Sequence, residues 1–155
     1  MGFGSLSVKG RALRYLSQRE HSRAELERKL GRFVEDQPDA TADAQIAAAL
    51  DDLAAKDLLS ESRAAASVLN GQGQRYGSRR LRQTLQAKGI APELVAATLQ
   101  AARLTELERA REVWRRRFGE RAADMQARAK QMRFLAGRGF DGDVIRRVVC
   151  GSDDE

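Results

Sequence analysis

The sequence predicts an all-α protein built from three tandem three-helix repeats that form an elongated or curved array. Its composition favours helices: only two of the 155 residues are proline, 5 % are aromatic, and Ala, Leu, Arg, Gln and Glu are abundant. The second observation is a pattern that recurs after fifty residues. Such self-similarity is typical of supersecondary units that bury their apolar faces against one another. The matching positions are Leu85, Lys88, Gly89, Ile90, Leu94, Val95 and Leu99 in one copy and Leu135, Arg138, Gly139, Phe140, Val144, Ile145 and Val149 in the next.

The first predicted repeat spans residues 6–59. Ser22 and Glu25 form a potential capping box, in which each side chain accepts a hydrogen bond from the other residue's backbone N–H, and they mark the start of its second helix. A longer acidic connection, residues 32–44, precedes its third helix. The apolar residues on the three helices are Ala12, Tyr15 and Leu16, then Leu26 and Leu30, then Ile46, Leu50 and Leu53.

The second predicted repeat spans residues 60–102. Ser60 and Ser78 are suitable N-caps for its first two helices. Gly89 is expected to end the second helix in the left-handed conformation, and Pro92 suits the first position of the third helix. The apolar faces consist of Ala65, Val68 and Leu69, then Leu81 and Leu85, then Leu94, Val95 and Leu99.

The third predicted repeat spans residues 103–150. A second capping box is expected at Thr105 and Glu108, Gly139 is expected to end the middle helix, and Asp141 gives the last helix an acidic start. With about 45 to 55 residues each, the repeats are too short for independent cores, so we expect neighbours to share packing. The apolar residues of its outer helices are Ala110, Val113 and Trp114, then Val144, Ile145, Val148 and Val149.

Positive charge is concentrated in the later repeats. The whole chain carries a formal net charge of +6, but residues 1–59 sum to −1, residues 60–102 to +4 and residues 103–147 to +6. Three acidic residues follow in the tail, residues 151–155. This asymmetry favours nucleic acid or an acidic protein surface as the partner.

Several segments, in this order and spacing, resemble the RecX family of recombination regulators. The central signature of that family is similar to the run Arg75-Tyr76-Gly77-Ser78-Arg79-Arg80-Leu81, which continues through Leu85 to Lys88-Gly89-Ile90. The resemblance covers about residues 8–149. Where the family usually has paired aspartates and an aromatic residue before the second repeat, this chain has Ser60, Glu61 and Ala64. The other matching segments are Ser22-Arg23-Ala24-Glu25-Leu26, Lys29-Leu30, Leu58-Leu59 and Arg138-Gly139-Phe140.

The resemblance implies a cytoplasmic regulator of RecA, the ATP-dependent recombinase that forms filaments on single-stranded DNA. The resemblance implies that proteins of this family consist of three tandem three-helix repeats, which lodge in the filament groove. They are implied to limit filament extension, ATP hydrolysis, strand exchange and co-protease activity, and so to act in homologous recombination, DNA repair and the SOS response. The partners implied are the RecA filament and, through weak electrostatic contact, single-stranded DNA.

Basic side chains of the last two repeats are the candidate binding residues for RecA or DNA. Arg138 repeats the position of Lys88, while Arg116 is expected to pair with Glu112 one helical turn away. Guanidinium groups bind phosphate and carboxylate equally well, so the set does not choose between DNA and an acidic protein. The candidates are Arg75, Arg79, Arg80, Arg82, Lys88, Arg115, Arg116, Arg133, Arg138, Arg146 and Arg147.

Catalysis, metal binding and cofactors are not expected. His21, the only histidine, is expected in the capping turn beside Ser22, and Cys150 is expected to be a small buried apolar residue. The glycine-containing stretch 70–77 lacks the preceding strand and the Gly-Lys-Ser/Thr of a phosphate-binding loop, so we interpret it as a flexible connection.

The aromatic residues do not indicate a dedicated base-stacking platform. Trp114 aligns with Leu69 and Leu16, which favours a role in the core, whereas Tyr76 has no aligned apolar partner and its role stays open. A single cysteine, no secretory leader and no long apolar stretch favour a monomeric cytoplasmic protein. Two alternatives remain at this point: a helix-turn-helix-like DNA-binding regulator that acts without RecA, and a generic helical scaffold.

Overall fold

Nine α-helices and no β-strand occur within residues 6–151, the part of the chain that this computed structural model describes. The predicted all-α class is therefore confirmed. The predicted tail after Gly151 and the amino-terminal residues before Leu6 lie outside the described residues. The helices are α1 (Val8–Gln18), α2 (Arg23–Gly31), α3 (Ala42–Ala55), α4 (Glu61–Gln72), α5 (Ser78–Ala87), α6 (Pro92–Arg103), α7 (Glu106–Arg117), α8 (Met125–Gly137) and α9 (Gly142–Cys150).

The chain divides into two compact units. The first unit consists of Met1–Ser67 with Lys88–Ile90, and the second consists of Val68–Ala87 with Ala91–Glu155. The division falls inside α4, whereas the predicted repeat boundaries after residues 59 and 102 stay a prediction. None of the described helices is long and apolar enough to cross a bilayer.

The first unit packs α1 and α2 against α3. Its apolar positions follow the predicted helical stripes, and Tyr15 and Leu16 are half-buried at the edge of the core. Burial of about 25 cal/mol per Å² of apolar surface is the main force that holds such a small bundle together. The fully enclosed members of this core are Ala12, Leu26, Leu30, Leu50 and Leu53.

The second unit has its main core among α7, α8 and α9. Ala110, Leu135 and Phe140 are enclosed there, and Trp114, for which a role in the core was predicted, is half-buried and packs against them. The Trp114 indole N–H donates to the side-chain oxygen of Gln131 at 2.9 Å. In the same unit α5 packs on α6 through buried residues that the sequence also identified, namely Leu81, Leu85, Val95 and Leu99.

Three predicted helix starts are confirmed. Ser22 and Glu25 form a capping box, the Ser60 hydroxyl accepts the N–H of Arg63 at 3.2 Å, and α6 begins at Pro92. The caps at Ser22 and Ser60 satisfy N–H groups that an isolated helix would leave unpaired, and Pro92 has no N–H to satisfy.

Three other local predictions are wrong. Thr105 has φ −116° and ψ 3° instead of an extended backbone, so it makes no side-chain cap and forms no box with Glu108. Ser78 is the first residue of α5 and its hydroxyl bonds to a distant carboxylate instead of capping its own helix. Cys150 is exposed because the buried face of α9 is formed by the two valines before it.

Two junctions bury the N-termini of α2 and α5 with similar groups. In each junction the first N–H of the helix donates to a glutamate carboxylate, and a neighbouring group donates to a backbone carbonyl oxygen. In the first unit, the Ser22 hydroxyl donates to the carbonyl oxygen of Lys88, and the Arg23 N–H donates to the Glu61 carboxylate at 2.6 Å. The first turn of one helix and the end of another therefore supply the acceptors for α2. Negative charge at a helix N-terminus also interacts favourably with the helix dipole.

The junction in the second unit repeats this pattern at α5. The N–H and the hydroxyl of Ser78 donate to the two carboxylate oxygens of Glu106 at 3.0 and 2.9 Å, and the Arg79 N–H donates to the carbonyl oxygen of Gly139 at 3.0 Å. Glu106 is 2 % exposed, and both of its carboxylate oxygens are satisfied by the Ser78 donors.

Both junctions require glycine where one backbone crosses another. Gly89 and Gly139 have φ of +71° and +86°, which confirms the left-handed helix ends that were predicted. A Cβ added at either position would lie 2.6 Å from the Cβ of Ala24 or Arg80, respectively. At Gly77 an added Cβ would overlap the backbone of Phe140. The recurrent glycines therefore allow close packing at the junctions as well as helix termination.

Candidate functional site

The turn between α4 and α5 is fixed by the guanidinium of Arg109. Its Nη1 donates to the carbonyl oxygens of Gly73 and Tyr76 at 2.6 and 2.8 Å, and its Nη2 donates to that of Ala102 at 2.8 Å. Burial lowers the pKa of Arg109 below its ordinary value, but an arginine stays charged at neutral pH. The glycine-containing stretch is thus anchored at both ends, in contrast to the flexible connection that we predicted.

Tyr76 projects from this anchored turn into a group of arginines. The next residue, Gly77, donates its N–H to the carbonyl oxygen of Arg138 at 2.9 Å, which brings the end of α8 beside the turn. The guanidiniums of Arg80, Arg138 and Arg75 then lie 4.7, 5.6 and 5.7 Å from the centre of the Tyr76 ring. These distances allow cation–π attraction.

Arginine side chains also lie beside aromatic rings along α7 and α8. Arg138 also lies 5.2 Å from the ring of Phe134, and Arg117 lies 5.6 Å from Phe134 and 5.4 Å from Phe118. Guanidinium groups and rings therefore alternate across three elements. We call this set the arginine–aromatic ladder; its members are Arg80, Tyr76, Arg138, Phe134, Arg117 and Phe118.

A shallow cavity of about 230 Å³ opens beside the ladder. Val113 and Phe134 supply apolar surface, and the amide of Gln74 is the uncharged polar group. Such a mixture of apolar surface and a few polar groups is typical of ligand sites. Four cationic side chains complete the lining: Arg75, Arg116, Arg117 and Arg138.

In the described part of the chain, carboxylates do not neutralise the ladder arginines or the neighbouring Arg75. Within residues 6–151, Arg75, Arg80, Arg117 and Arg138 form no ion pair with a carboxylate. Stacking on rings restricts each guanidinium while its N–H edges stay free for an anion. The arrangement of the ladder is therefore suited to anions, because its cations are partly preorganised.

In the first unit, positive and negative side chains are balanced in number. Its described residues contain eleven Lys and Arg against eleven Asp and Glu, whereas those of the second unit contain seventeen against eight. Lys9 pairs with Asp52, and Arg63 lies 3.1 Å from the carboxylates of Glu20 and Asp57. The excess positive charge thus belongs to the second unit.

Lys88 and Arg138 occupy the same junction position but differ in environment. Lys88 Nζ lies 3.1 Å from Oε1 of Glu25, and its side chain is 21 % exposed. The third residue of α5, at the place that Glu25 takes in α2, is the basic Arg80, and Arg138 extends over Tyr76 instead. Lys88 therefore stabilises the first unit, while Arg138 contributes to the ladder.

The structure brings together some of the other predicted site residues and separates the rest. Arg75, Arg80, Arg116 and Arg138 meet at the cavity or the ladder. Arg115 and Arg116 lie 2.8 and 3.0 Å from Glu112, which confirms the predicted turn-spaced pair. The remaining candidates are exposed and lie elsewhere in the second unit: Arg79 beside Asp141, Arg146 beside Asp143, Arg147 near Trp114, and Arg82 and Arg133.

Sequence reasoning missed Phe134 and the anchoring roles of Arg109 and Glu106. Phe134 lies four residues before Arg138, a spacing that places both on one helix face and could have identified the pair. Arg109 and Glu106 act on residues 28 to 36 positions away, so no local pattern marks them.

His21 lies in the first unit and is fully buried. Its Nδ1 lies 3.0 Å from the carbonyl oxygen of Arg19, and its Nε2 lies 2.8 Å from Nζ of Lys29. It directly precedes the Ser22 cap, as predicted. Among the described residues, no three His, Cys, Asp or Glu side chains come together as a metal site.

These features define a class of protein: an α-helical repeat protein that presents an arginine-rich surface. Sequence models of the first, second and third three-helix domains of RecX match residues 9–33, 60–99 and 105–149. The regulatory protein RecX of Leptothrix cholodnii is 52 % identical to this chain, over 97 % of the chain and 92 % of the relative. The corresponding protein of Ralstonia nicotianae is 43 % identical, over 96 % of the chain and 89 % of the relative.

The chain belongs to the RecX family of regulatory proteins. Solved structures agree on the fold: a crystal structure of RecX from Lactobacillus salivarius matches with a TM-score of 0.75 at 21 % identity, over 94 % of both chains. A second crystal structure of regulatory protein RecX matches with a TM-score of 0.73 at 21 % identity, over 94 % of this chain and 72 % of the other. Three tandem three-helix repeats are thus established for this protein.

Proposed function

We propose that this protein binds the RecA filament on single-stranded DNA and limits its extension. ATP hydrolysis, strand exchange and co-protease activity of RecA fall as a consequence. The protein acts by binding, as a monomer in the cytoplasm, and performs no chemical step itself. The observation that carries the proposal is its 52 % identity, over nearly the whole chain, to a regulatory protein RecX.

The charge distribution supports a filament as the partner. A polymer of RecA on DNA offers repeated protein surfaces and a row of phosphates, so one ligand can contact several sites at once. The second unit supplies net positive charge and the arginine–aromatic ladder for this purpose. The first unit, with balanced charge, is assigned to contacts with protein.

RecA ATP hydrolysis on single-stranded DNA is the direct test. We expect the rate to fall progressively as the protein is added up to one molecule per RecA. The measurement uses a buffer in which RecA filaments grow and enough ATP to sustain them. An unchanged rate at a stoichiometric excess would refute the proposal.

The structure offers little support for a duplex-reading alternative at α2 or α5. A recognition helix presents its N-terminal residues to the major groove, but Ser22 and Ser78 at these two helix starts are buried in the junctions. Binding to random and selected duplexes over a salt series separates the two functions. A sequence preference that persists without RecA would favour the alternative.

A further inference from the structure

We propose that the cavity beside the arginine–aromatic ladder accepts one unpaired base of a single-stranded nucleic acid, while the ladder guanidiniums hold the neighbouring phosphates. This inference deepens the proposed function, because it assigns the contact with single-stranded DNA to one site in the second unit. It concerns binding that takes place without RecA and can therefore be measured separately.

The size of the cavity suits one flat group. Its volume of about 230 Å³ is below the roughly 300 to 1,000 Å³ of sites for drug-sized ligands. Val113 and Phe134 provide apolar contact for the faces of a base, and the exposed amide of Gln74 can both donate to and accept from its edge.

The arginines suit both parts of a nucleotide. The guanidinium carbons of Arg117 and Arg138 lie 5.6 and 5.2 Å from the centre of the Phe134 ring, which is within the distance of a cation–π contact. Bases stack on guanidinium planes as they do on aromatic rings. The N–H edges of the same groups remain available for phosphate oxygens. A base can therefore stack on one of these guanidiniums without displacing a protein ion pair.

Single strands fit this site better than the other polyanions. A duplex presents only base edges because its bases are paired and stacked, so it can use the phosphate contacts but not the cavity. An acidic peptide can pair with Arg75 and Arg117, but its short carboxylate side chains leave Val113 and Phe134 uncovered. We therefore expect the bases to add affinity beyond the phosphates.

Fluorescence anisotropy with the full chain and no RecA tests this inference. The probes are a labelled oligothymidine, an abasic strand of the same length, a duplex of the same length and a polyglutamate of matched charge. We expect the oligothymidine to bind about tenfold more tightly than the abasic strand, a typical gain from stacking a base. Equal affinity for those two strands, or polyglutamate binding as tight as oligothymidine, would overturn the inference.

A charge-conserving variant separates stacking from attraction. Arg117→Lys with Arg138→Lys keeps both positive charges but removes both planar groups. It should retain its affinity for the abasic strand within about twofold and lose the preference for oligothymidine. Arg103→Lys with Arg128→Lys, at exposed positions outside the ladder and the cavity, should behave like the unaltered protein.

A preference for oligothymidine that survives in the ladder variant would refute this site. RecA inhibition is scored on the same preparations, so the two proposals can fail independently. In the unaltered protein, RecA inhibition without any preference for oligothymidine over the abasic strand would refute only the nucleotide site. A base preference without RecA inhibition would refute only the regulation of RecA.

Discussion

Glu25 is the residue on which the first junction depends. Its side chain is only 9 % exposed, and it receives hydrogen bonds from Arg19 and Lys88 as well as from the backbone N–H of Ser22. Burial opposes ionisation of Glu25, but these donors outweigh it and hold its pKa at about 2, below the ordinary 4.5. The ionised carboxylate therefore stabilises the folded state.

Glu25→Gln should lower the free energy of unfolding by about 2 to 3 kcal/mol at pH 7. The lowered pKa means that this stabilisation is complete above pH 4.5 and is lost as the pH falls toward 2. The difference between the two proteins should therefore shrink over that interval in urea unfolding. Glu27→Gln, which alters an exposed pair with Arg23, is the control and should cost under about 1 kcal/mol. Equal effects of the two substitutions would contradict this role.

His21 should stay neutral at a pH where an ordinary histidine is half protonated. Burial lowers its pKa below 6.5, and the positive charge of nearby Lys29 acts in the same direction. Because the unfolded chain takes up this proton first, stability should decrease as the pH falls below 6.5. An NMR titration of the single imidazole measures the pKa directly. Lys29→Met should raise it, and a value of 6.5 or higher in the unaltered protein would contradict the expectation.

At the scale of the helices, much of the architecture could be predicted from local sequence. Gly89, Gly139 and Pro92 mark helix ends or starts because their backbone restrictions act within one or two residues. Thr105 failed as a cap because its backbone is not extended, a property that depends on how the chain enters α7. Local chemistry permits a cap, but tertiary geometry decides whether it forms.

The candidate site was only partly predictable for the same reason. Arg75, Arg80 and Arg138 were recognised as basic, yet nothing local shows that they surround Tyr76. Their convergence depends on Glu106 and Arg109, which join distant parts of the chain. Sequence alone also could not distinguish cations used in junctions from cations left for a partner.

Two glycines of α8 and its following turn should respond oppositely to alanine. Gly139→Ala should lower the free energy of unfolding by about 2 to 3 kcal/mol, because the position has φ +86° and its Cβ would press on the backbone N of Arg80. Gly137→Ala, two residues earlier in open space within α8, should be neutral or stabilising by up to about 1 kcal/mol. Thermal or urea unfolding compares them, and similar effects would contradict the junction geometry.

At the scale of the whole molecule, packing and charge follow different patterns. Glycine-dependent junctions occur in both units, whereas excess positive charge occurs only in the second. The first unit pairs several of its cations with its own carboxylates, and the second leaves the ladder arginines available. A common scaffold is thus combined with one strongly cationic surface.

The salt dependence of the affinity for single-stranded DNA should show which unit contacts the phosphates. Arg117→Gln with Arg138→Gln should reduce the slope of log affinity against log salt by about 0.7 for each single-strand phosphate that the variant no longer neutralises. Arg14→Gln with Arg32→Gln, two exposed positions of the first unit, removes the same charge and should leave the slope nearly unchanged. Anisotropy titrations at several salt concentrations measure both, and equal slope changes would contradict the assignment.

The most direct test of the central claim combines these variants with RecA. Hydrolysis of ATP by RecA on single-stranded DNA is followed while each protein is added. We predict that the unaltered protein and the Arg14→Gln, Arg32→Gln control inhibit alike, and that Arg117→Gln with Arg138→Gln needs on the order of tenfold more protein, as expected when two charged hydrogen-bond donors are removed. Absence of inhibition by the unaltered protein, or undiminished inhibition by the ladder variant, would contradict the account.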